Sequence, residues 1–430
     1  MRRGAASLKP ERRPLVVVAA LVGSTALQWL GAGAVLPLLP LYLRRQGAGD
    51  GLVGAVMAGF FVAALLVQLP GGRLADRVGR RPVQVGGLVL FALGSVGFLV
   101  TGAPLAALGF RALQGAGTGL TQVAGAALIG DVVPEGLRGR AYGALYGGQI
   151  GGLAVGPLVG SLLGVGRMPL LFAAAAVSNG LAVVPLVTLV PAGTGRRGPR
   201  RVGRSKPWQD RGVRGVALAM AASGLVSGMY EVCWTLLLHL RGAASWQIGL
   251  SWTLFAVPLV LVAGPAGWLV DRLDRRRLAM AAIVGSAGFA ALYPFVASVA
   301  WLVGLGAAEA LAVAVGYPAV MAELAHRVPA ARLGEAQGFC GAIQTGAIAL
   351  AASVSGALFG VRPWLPFDAT AVLMVLCVAC LPWVWGGRPE QGSPLGEAID
   401  RGPAGPEGAT SGVVAGAVDR AEGDTWRTVG

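Results

Sequence analysis

Arg111, Glu231 and Glu309 each interrupt a long apolar stretch of this 430-residue chain. Ionisable side chains in such a setting mark sites that bind charge or pass protons. A carboxylate kept from water favours its neutral form and a neighbouring cation restores its charge, so the group can exchange a proton for a cation. Glu231 stands in Gly228-Met229-Tyr230-Glu231-Val232-Cys233-Trp234, where Tyr230, Trp234 and the thioether would line a pocket for a lipophilic compound. For Glu309 the alternative is a structural neutral acid bonded to Gln344 or another polar group. Gln28, Gln114 and Gln149 are amides in similar surroundings, placed to touch a small molecule or one another. Other chemistries lack material. The two histidines, His239 and His326, are far apart, and Cys377-x-x-Cys380 has no third thiol or histidine nearby, so no metal is expected. No G-x-x-x-x-G-K-[ST] loop occurs, and no cofactor is expected.

These residues need a scaffold, and composition says which. A soluble domain carries about 25% charged residues; this chain has 13%, with 55% hydrophobic and a mean hydropathy of +0.68. Lipid is the solvent such a surface requires. Apolar blocks long enough to cross a bilayer as helices occur at 15–43, 51–71, 82–102, 104–131, 139–165, 168–191, 214–241, 244–270, 278–299, 300–326, 333–361 and 364–386. They lack the alternation of barrel strands, so the expected fold is an all-α integral membrane protein with twelve transmembrane helices. The first block follows a basic start but runs past a signal core, and reads as an uncleaved span.

Twenty-nine of the 35 lysines and arginines fall in the termini and the even-side loops, five in the opposite loops, and Arg111 within a span. Positive charge accumulates on the cytoplasmic side, which puts both termini in the cytoplasm and the chain in the plasma membrane. The net charge of +15 is thus topology, and no nucleic-acid partner is expected. The layout is a basic N-terminus (1–14), a six-helix bundle (15–191), a basic linker (192–213), a second six-helix bundle (214–386) and a disordered tail (387–430).

The halves repeat at an offset of 195. Gly72-Arg73-Leu74-Ala75-Asp76-Arg77-Val78-Gly79-Arg80-Arg81 maps onto Gly267-Trp268-Leu269-Val270-Asp271-Arg272-Leu273-Asp274-Arg275-Arg276, and Pro134, Gly139, Ala141 and Gly143 map onto Pro329, Gly334, Ala336 and Gly338. Six spans per repeat make the repeats parallel, so two pseudo-symmetric bundles face each other across a central cavity.

The loop 72–81 resembles the signature Gly-x-Leu-Ala-Asp-Arg-x-Gly-Arg-Arg of the major facilitator superfamily, with every defined position filled. Arg111-Ala112-Leu113-Gln114-Gly115-Ala116-Gly117 is similar to that superfamily's fourth-helix motif. The segment from Gly152 through Gly156-Pro157 to Gly160-Ser161 resembles the fifth-helix motif of its drug:proton antiporters, with Ser161 in place of the closing glycine. The resemblance implies that Asp76, in the turn bearing Gly72, Arg77 and Gly79, pairs with the cytoplasmic end of the opposite bundle and forms a conformational gate with Asp271 as its repeat counterpart. It also implies a proton-coupling role for Arg111, whose alternative is to bridge helices one, four and five through backbone carbonyls.

The residues themselves add that Asp131 can partner the loop arginines, that Arg80 and Arg81 serve topology, and that Gly152, Gly156 and Gly160 share a helix face which Pro157 can bend. That face is either ordinary packing or a rocking contact between bundles. The first span has no carboxylate, so coupling must rest on Glu231, Glu309 or Arg111. The expected activity is alternating-access transport by a monomer, exporting small amphiphilic compounds against protons. A sugar or other metabolite transporter of the same fold is the alternative, and a membrane-embedded lipid-carrier transferase a remote one.

Overall fold

The computed structural model describes residues 13–191, 207–328 and 330–385, and no strand occurs among them. The basic start, most of the expected linker and the expected tail lie outside the described residues. The chain runs through α1 (Arg13–Val35), α2 (Leu39–Arg45), α3 (Asp50–Val78), α4 (Arg80–Val100), α5 (Pro104–Val132), α6 (Glu135–Leu163) and α7 (Met168–Leu189). It continues through α8 (Arg211–Leu240), α9 (Ser245–Leu261), α10 (Ala263–Arg272), α11 (Arg275–Leu292), α12 (Val299–Arg327), α13 (Ala330–Val361) and α14 (Leu365–Trp385).

Local chemistry sets the ends. Asp210 accepts from the Val213 amide at 3.1 Å, and Asp274 accepts from the amides of Arg276 and Arg277 at 3.0 Å; both satisfy donors that a helix start leaves free. The Asp274 that departs from the repeat's glycine is therefore a helix cap. Between α3 and α4 the chain turns at Gly79 with φ +105°, a backbone region that a side chain strains and glycine does not.

Two of the twelve spans are broken. The first passes from α1 through a 3₁₀ turn, Leu36–Leu38, into α2, where Pro37 and Pro40 each withhold a backbone donor. The eighth, expected as continuous over 244–270, divides at Val262 into α9 and α10, between Pro258 and Pro265. Nine helices among the described residues are long and apolar enough to cross a membrane by length and composition. The other three spans are α5 and α6, which carry polar residues and many glycines, and the divided pair α9–α10.

The packing obeys the sequence repeat. In the first half α1 lies against α6 and α7, α5 against α3 and α4, and α4 against α7. In the second, α8 lies against α13 and α14, α12 against α9 and α11, and α11 against α14. Each pair has its counterpart six spans on. Between the halves two pairs dominate, α3 with α13 and α6 with α9, and these two are themselves related by the repeat.

The glycine-mediated contacts between halves lie toward the end remote from the loops at 79 and 273, which we call the basic end. A Cβ on Gly54 of α3 would lie 2.7 Å from the Ala352 carbonyl oxygen of α13, and Gly356 similarly faces the Asp50 carbonyl. At the other corner the Thr253 hydroxyl donates to the Ala154 carbonyl at 2.6 Å, and Ser161 fills the space left by Gly249. Ser161 in place of the motif glycine is thus matched by a glycine across the interface. The Gly152, Gly156 and Gly160 face is different. It meets the backbone of α1 at Ala26, Leu30 and Ala34. The glycine stripe joins two helices of one half, and the neighbouring Pro157 carbonyl and Ser161 are what reach the other half, so a rocking contact between bundles does not belong to the glycines.

Candidate functional site

The fourth span, α5, carries Arg111, Gln114, Thr118 and Thr121, spaced by three and four residues and so on one face. They form a relay. Arg111 donates to the Gln114 Oε1 at 3.0 Å, Gln114 donates to the Ser95 hydroxyl of α4 at 3.0 Å, and Thr118 donates to the Gln114 carbonyl at 3.0 Å. Thr121 donates to the Thr118 carbonyl at 2.9 Å and to the Gln28 Oε1 of α1 at 3.1 Å. Gln114 is therefore spent on holding Arg111. The guanidinium also lies 4.5 Å from the centre of the Phe60 ring of α3, a cation–π contact. Its bridging of helices one, four and five through carbonyls is not what the structure contains: Gln114 and Phe60 take that place, and Nε and Nη2 have no hydrogen-bond partner.

Opposite Arg111, from the other half, comes Glu231 of α8. The two interact electrostatically without closing to an ion pair, and Glu231 Oε2 is buried with no hydrogen-bond partner. Glu231 belongs to a stripe the sequence reading missed: Ser223, Ser227, Glu231 and Thr235 recur every fourth residue. Thr235 donates across to the Pro37 carbonyl of the first half at 2.8 Å, and Ser227 is exposed. The signal was legible as four polar residues at one-turn spacing in an apolar helix.

Tyr230 and Trp234 share a face about 60–100° round α8 from Glu231. That face turns into the second half instead of lining a pocket around Glu231. The Tyr230 hydroxyl donates to both oxygens of Glu309 at 3.1 and 3.0 Å, and the Tyr293 hydroxyl donates at 2.7 Å, with Ser286 as a further partner. Trp234 donates to the Ser251 hydroxyl of α9 at 2.9 Å. Glu309, 1% exposed, is thus held by tyrosines, not by Gln344. Its repeat counterpart is Gln114, and both are hydrogen-bond hubs of their own half.

Gln28 and Gln149 line a cavity of about 190 Å³ between α1, α5 and α6, with Thr25, Trp29, Thr121, Gln122, Gly125, Tyr142, Leu145 and Tyr146. Gln28 Nε2 is buried and unpartnered. Through Thr121 and Thr118 this cavity connects to the Arg111 relay.

At the basic end Arg80 is 7% exposed. Its guanidinium pairs with Asp76 at 2.5 Å and with Asp131 at 3.1 Å. Arg80 is thus a structural bridge between α3, α4 and α5, more than a topological charge. Arg81 donates to the Val187 carbonyl near the end of α7 at 2.8 Å. Asp76 finds its ion-pair partner inside its own half, not in the opposite bundle, while Gly72 and Arg77 flank it on the last turns of α3. The side chain of Asp271 lies outside the described residues. The second half has a related cluster in which Glu323 of α12 receives Arg276 at 2.8 Å and Arg327 at 3.1 Å.

Two successive stretches, 21–240 and 215–418, match the model of the Major Facilitator Superfamily. The Escherichia coli inner membrane transport protein YajR is 38% identical over 117 residues, 27% of this chain and 25% of that protein. The Staphylococcus aureus quinolone resistance protein NorA is 30% identical over 115 residues, 27% of this chain and 30% of the relative. The chain thus spans less than a third of the length of these relatives. Among solved structures, the nucleoside transporter NupG has a TM-score of 0.72 at 14% identity, covering 86% of this chain and 100% of that one. The D-xylose-proton symporter has a TM-score of 0.69 at 17%, covering 88% and 98%. At such identities these structures speak for the fold alone. The paired halves, the duplicated family match and the filled motifs make the chain a multi-pass membrane protein of the major facilitator superfamily.

Proposed function

We propose that this transporter works by alternating access as a monomer, exporting small amphiphilic compounds in exchange for protons, with both termini and the basic end in the cytoplasm of a plasma-membrane protein. The observation that carries the reading is the buried, incompletely bonded facing pair Arg111 and Glu231, one from each half. While Glu231 is charged, Arg111 attracts it across the central interface. A proton on Glu231 removes the attraction and leaves the guanidinium's field uncompensated, which biases the halves toward another arrangement. A cationic or dipolar substrate that neutralises Glu231 in the proton's place completes the exchange.

The positive-inside distribution supports the orientation, and the close contacts between halves then lie on the outer side, as in a carrier closed to the outside. The quinolone-resistance relative supports efflux. The Asp76–Arg80–Asp131 cluster would be the inner gate, its carboxylate released to the opposite half when that side closes. Arg77, Gly72 and Gly79 shape its turn, and Asp271 is its counterpart. A sugar or other metabolite is the second reading, for which the glutamines and threonines lining the cavity at Gln28 and Gln149 would supply hydrogen bonds. The test is substrate-stimulated proton flux into vesicles containing the purified chain. Glu231→Gln should abolish the flux while substrate still binds; undiminished flux would remove Glu231 from the mechanism.

A further inference from the structure

We infer that Tyr146 and Tyr317 form a clamp for a flat aromatic ring, and that Gln28 beside them takes a carbonyl acceptor of the same neutral ligand. The inference deepens the export reading by naming a substrate class. Tyr146 of α6 and Tyr317 of α12 come from different halves, yet their rings are stacked, with centroids 6.2 Å apart and planes within 10°. The two residues are 47% and 40% exposed, and the two helices do not otherwise pack along their length. A ring held between them needs about 7 Å, twice the ~3.5 Å of a carbon contact. The halves must therefore part there until the ring planes stand that far apart, a motion that alternating access already requires. The bound ring would then join the halves.

The chemistry of the adjoining cavity narrows the ligand further. Tyr146 and Gln28 line the same space, and none of the residues around it carries a formal charge. Gln28 is 3% exposed; its oxygen accepts from Thr121, which orients the amide, and its Nε2 is left without an acceptor. A buried donor in that condition favours a ligand oxygen strongly, because binding removes an existing penalty. Stacking and one amide donor together select a planar aromatic carbonyl compound.

Acridone, flat and neutral with one ring carbonyl, is the probe, and dicyclohexyl ketone, with the same acceptor on saturated rings, is its control. Binding of both to the full chain in vesicles is measured by equilibrium dialysis, without a proton gradient, against protein-free vesicles. Tyr146→Leu and Tyr317→Leu should each weaken acridone by roughly tenfold, the scale of one lost ring stack. Tyr146→Phe and Tyr317→Phe should bind it like the parent chain, and the ketone should be nearly indifferent to all four. Gln28→Leu should weaken both compounds. Equal acridone affinity in the Leu and Phe variants, or equal losses for ketone and acridone, would overturn the clamp. A Gln28→Leu chain that binds both compounds normally would overturn the amide's part. Because binding is compared at one pH and without a gradient, these outcomes stand whether or not transport is coupled to protons.

Discussion

Adding one methyl group at Gly54 should open the end of the molecule that is now closed. The Cβ of Gly54→Ala would lie 2.7 Å from the Ala352 oxygen, 3.1 Å from the Ser353 oxygen and 3.2 Å from the Gly356 nitrogen, where ordinary contact begins at 3.4 Å. All three are backbone atoms of α13, so no side chain can swing aside, and α3 must retreat by about 0.7 Å, the difference between the closest approach and that limit. Such overpacking costs about 1–3 kcal/mol. Because α3 and α13 belong to different halves, the strain is relieved by parting them, which shifts the balance toward the other arrangement by roughly 5- to 150-fold. Gly152→Ala is the matched control. Its Cβ would also meet a carbonyl oxygen at 2.7 Å, that of Ala26, but on α1 of the same half, where parting the halves gives no relief. Both variants gain the same helix propensity, about 1 kcal/mol, so their comparison isolates the interface. Spin labels on cysteines at Arg45 and Arg362, after replacement of Cys377 and Cys380, report the gap at this end. Gly54→Ala should lengthen the distance, and Gly152→Ala should lower thermal stability at unchanged distance. Identical distances in a folded Gly54→Ala protein would refute the reasoning.

Arg80→Ala leaves the Asp131 carboxylate, whose side chain is 10% exposed, without its cation and should lower stability by about 3–5 kcal/mol. Asp76→Asn, at a side chain 47% exposed, should cost at most about 1 kcal/mol while altering labelling at the basic end; thermal unfolding and cysteine labelling check the pair. Gln114→Leu frees Arg111 from its one hydrogen bond and should reduce proton flux at least tenfold with little loss of substrate binding, read in the same vesicles as Glu231→Gln. Tyr293→Phe removes the 2.7 Å donor to Glu309 and should destabilise the second half by about 1.5–3 kcal/mol, measured by thermal unfolding, whereas Glu309→Gln in a purely structural site should leave proton flux standing.

The spans and their repeat were legible because lipid imposes a length and a composition on each helix separately. The motif positions of Arg111 and Asp76, and the in-span place of Glu231, were legible for a similar local reason: charge inside an apolar run, or in a turn, is visible without knowing any neighbour. What pairs with what was not. Helical spacing identified a small face at Gly152, Gly156 and Gly160 but could not say that α1 covers it. Nor could it say that Tyr230 and Trp234 look away from Glu231, although the 100° step between adjacent residues contained the warning. The division of the eighth span was hidden because Pro258 and Pro265 sit in an unbroken apolar run, and whether proline bends or breaks a helix depends on what its neighbours accept. Arg80 looked like one more cation until the turn at Gly79 brought it over Asp131.

The apposition of α3 with α13 and of α6 with α9 also bears on leakage. At Gly54 and Gly356 main chain is pressed on main chain, and at Gly249 the Ser161 side chain and the Pro157 carbonyl fill the space, so nothing larger than glycine fits at these points. Where the helices touch this closely no file of waters runs between them, so those points of contact are sealed by absent side chains instead of bulky plugs. Any larger residue there would trade that insulation for a slow, substrate-independent dissipation of the membrane's stored potential.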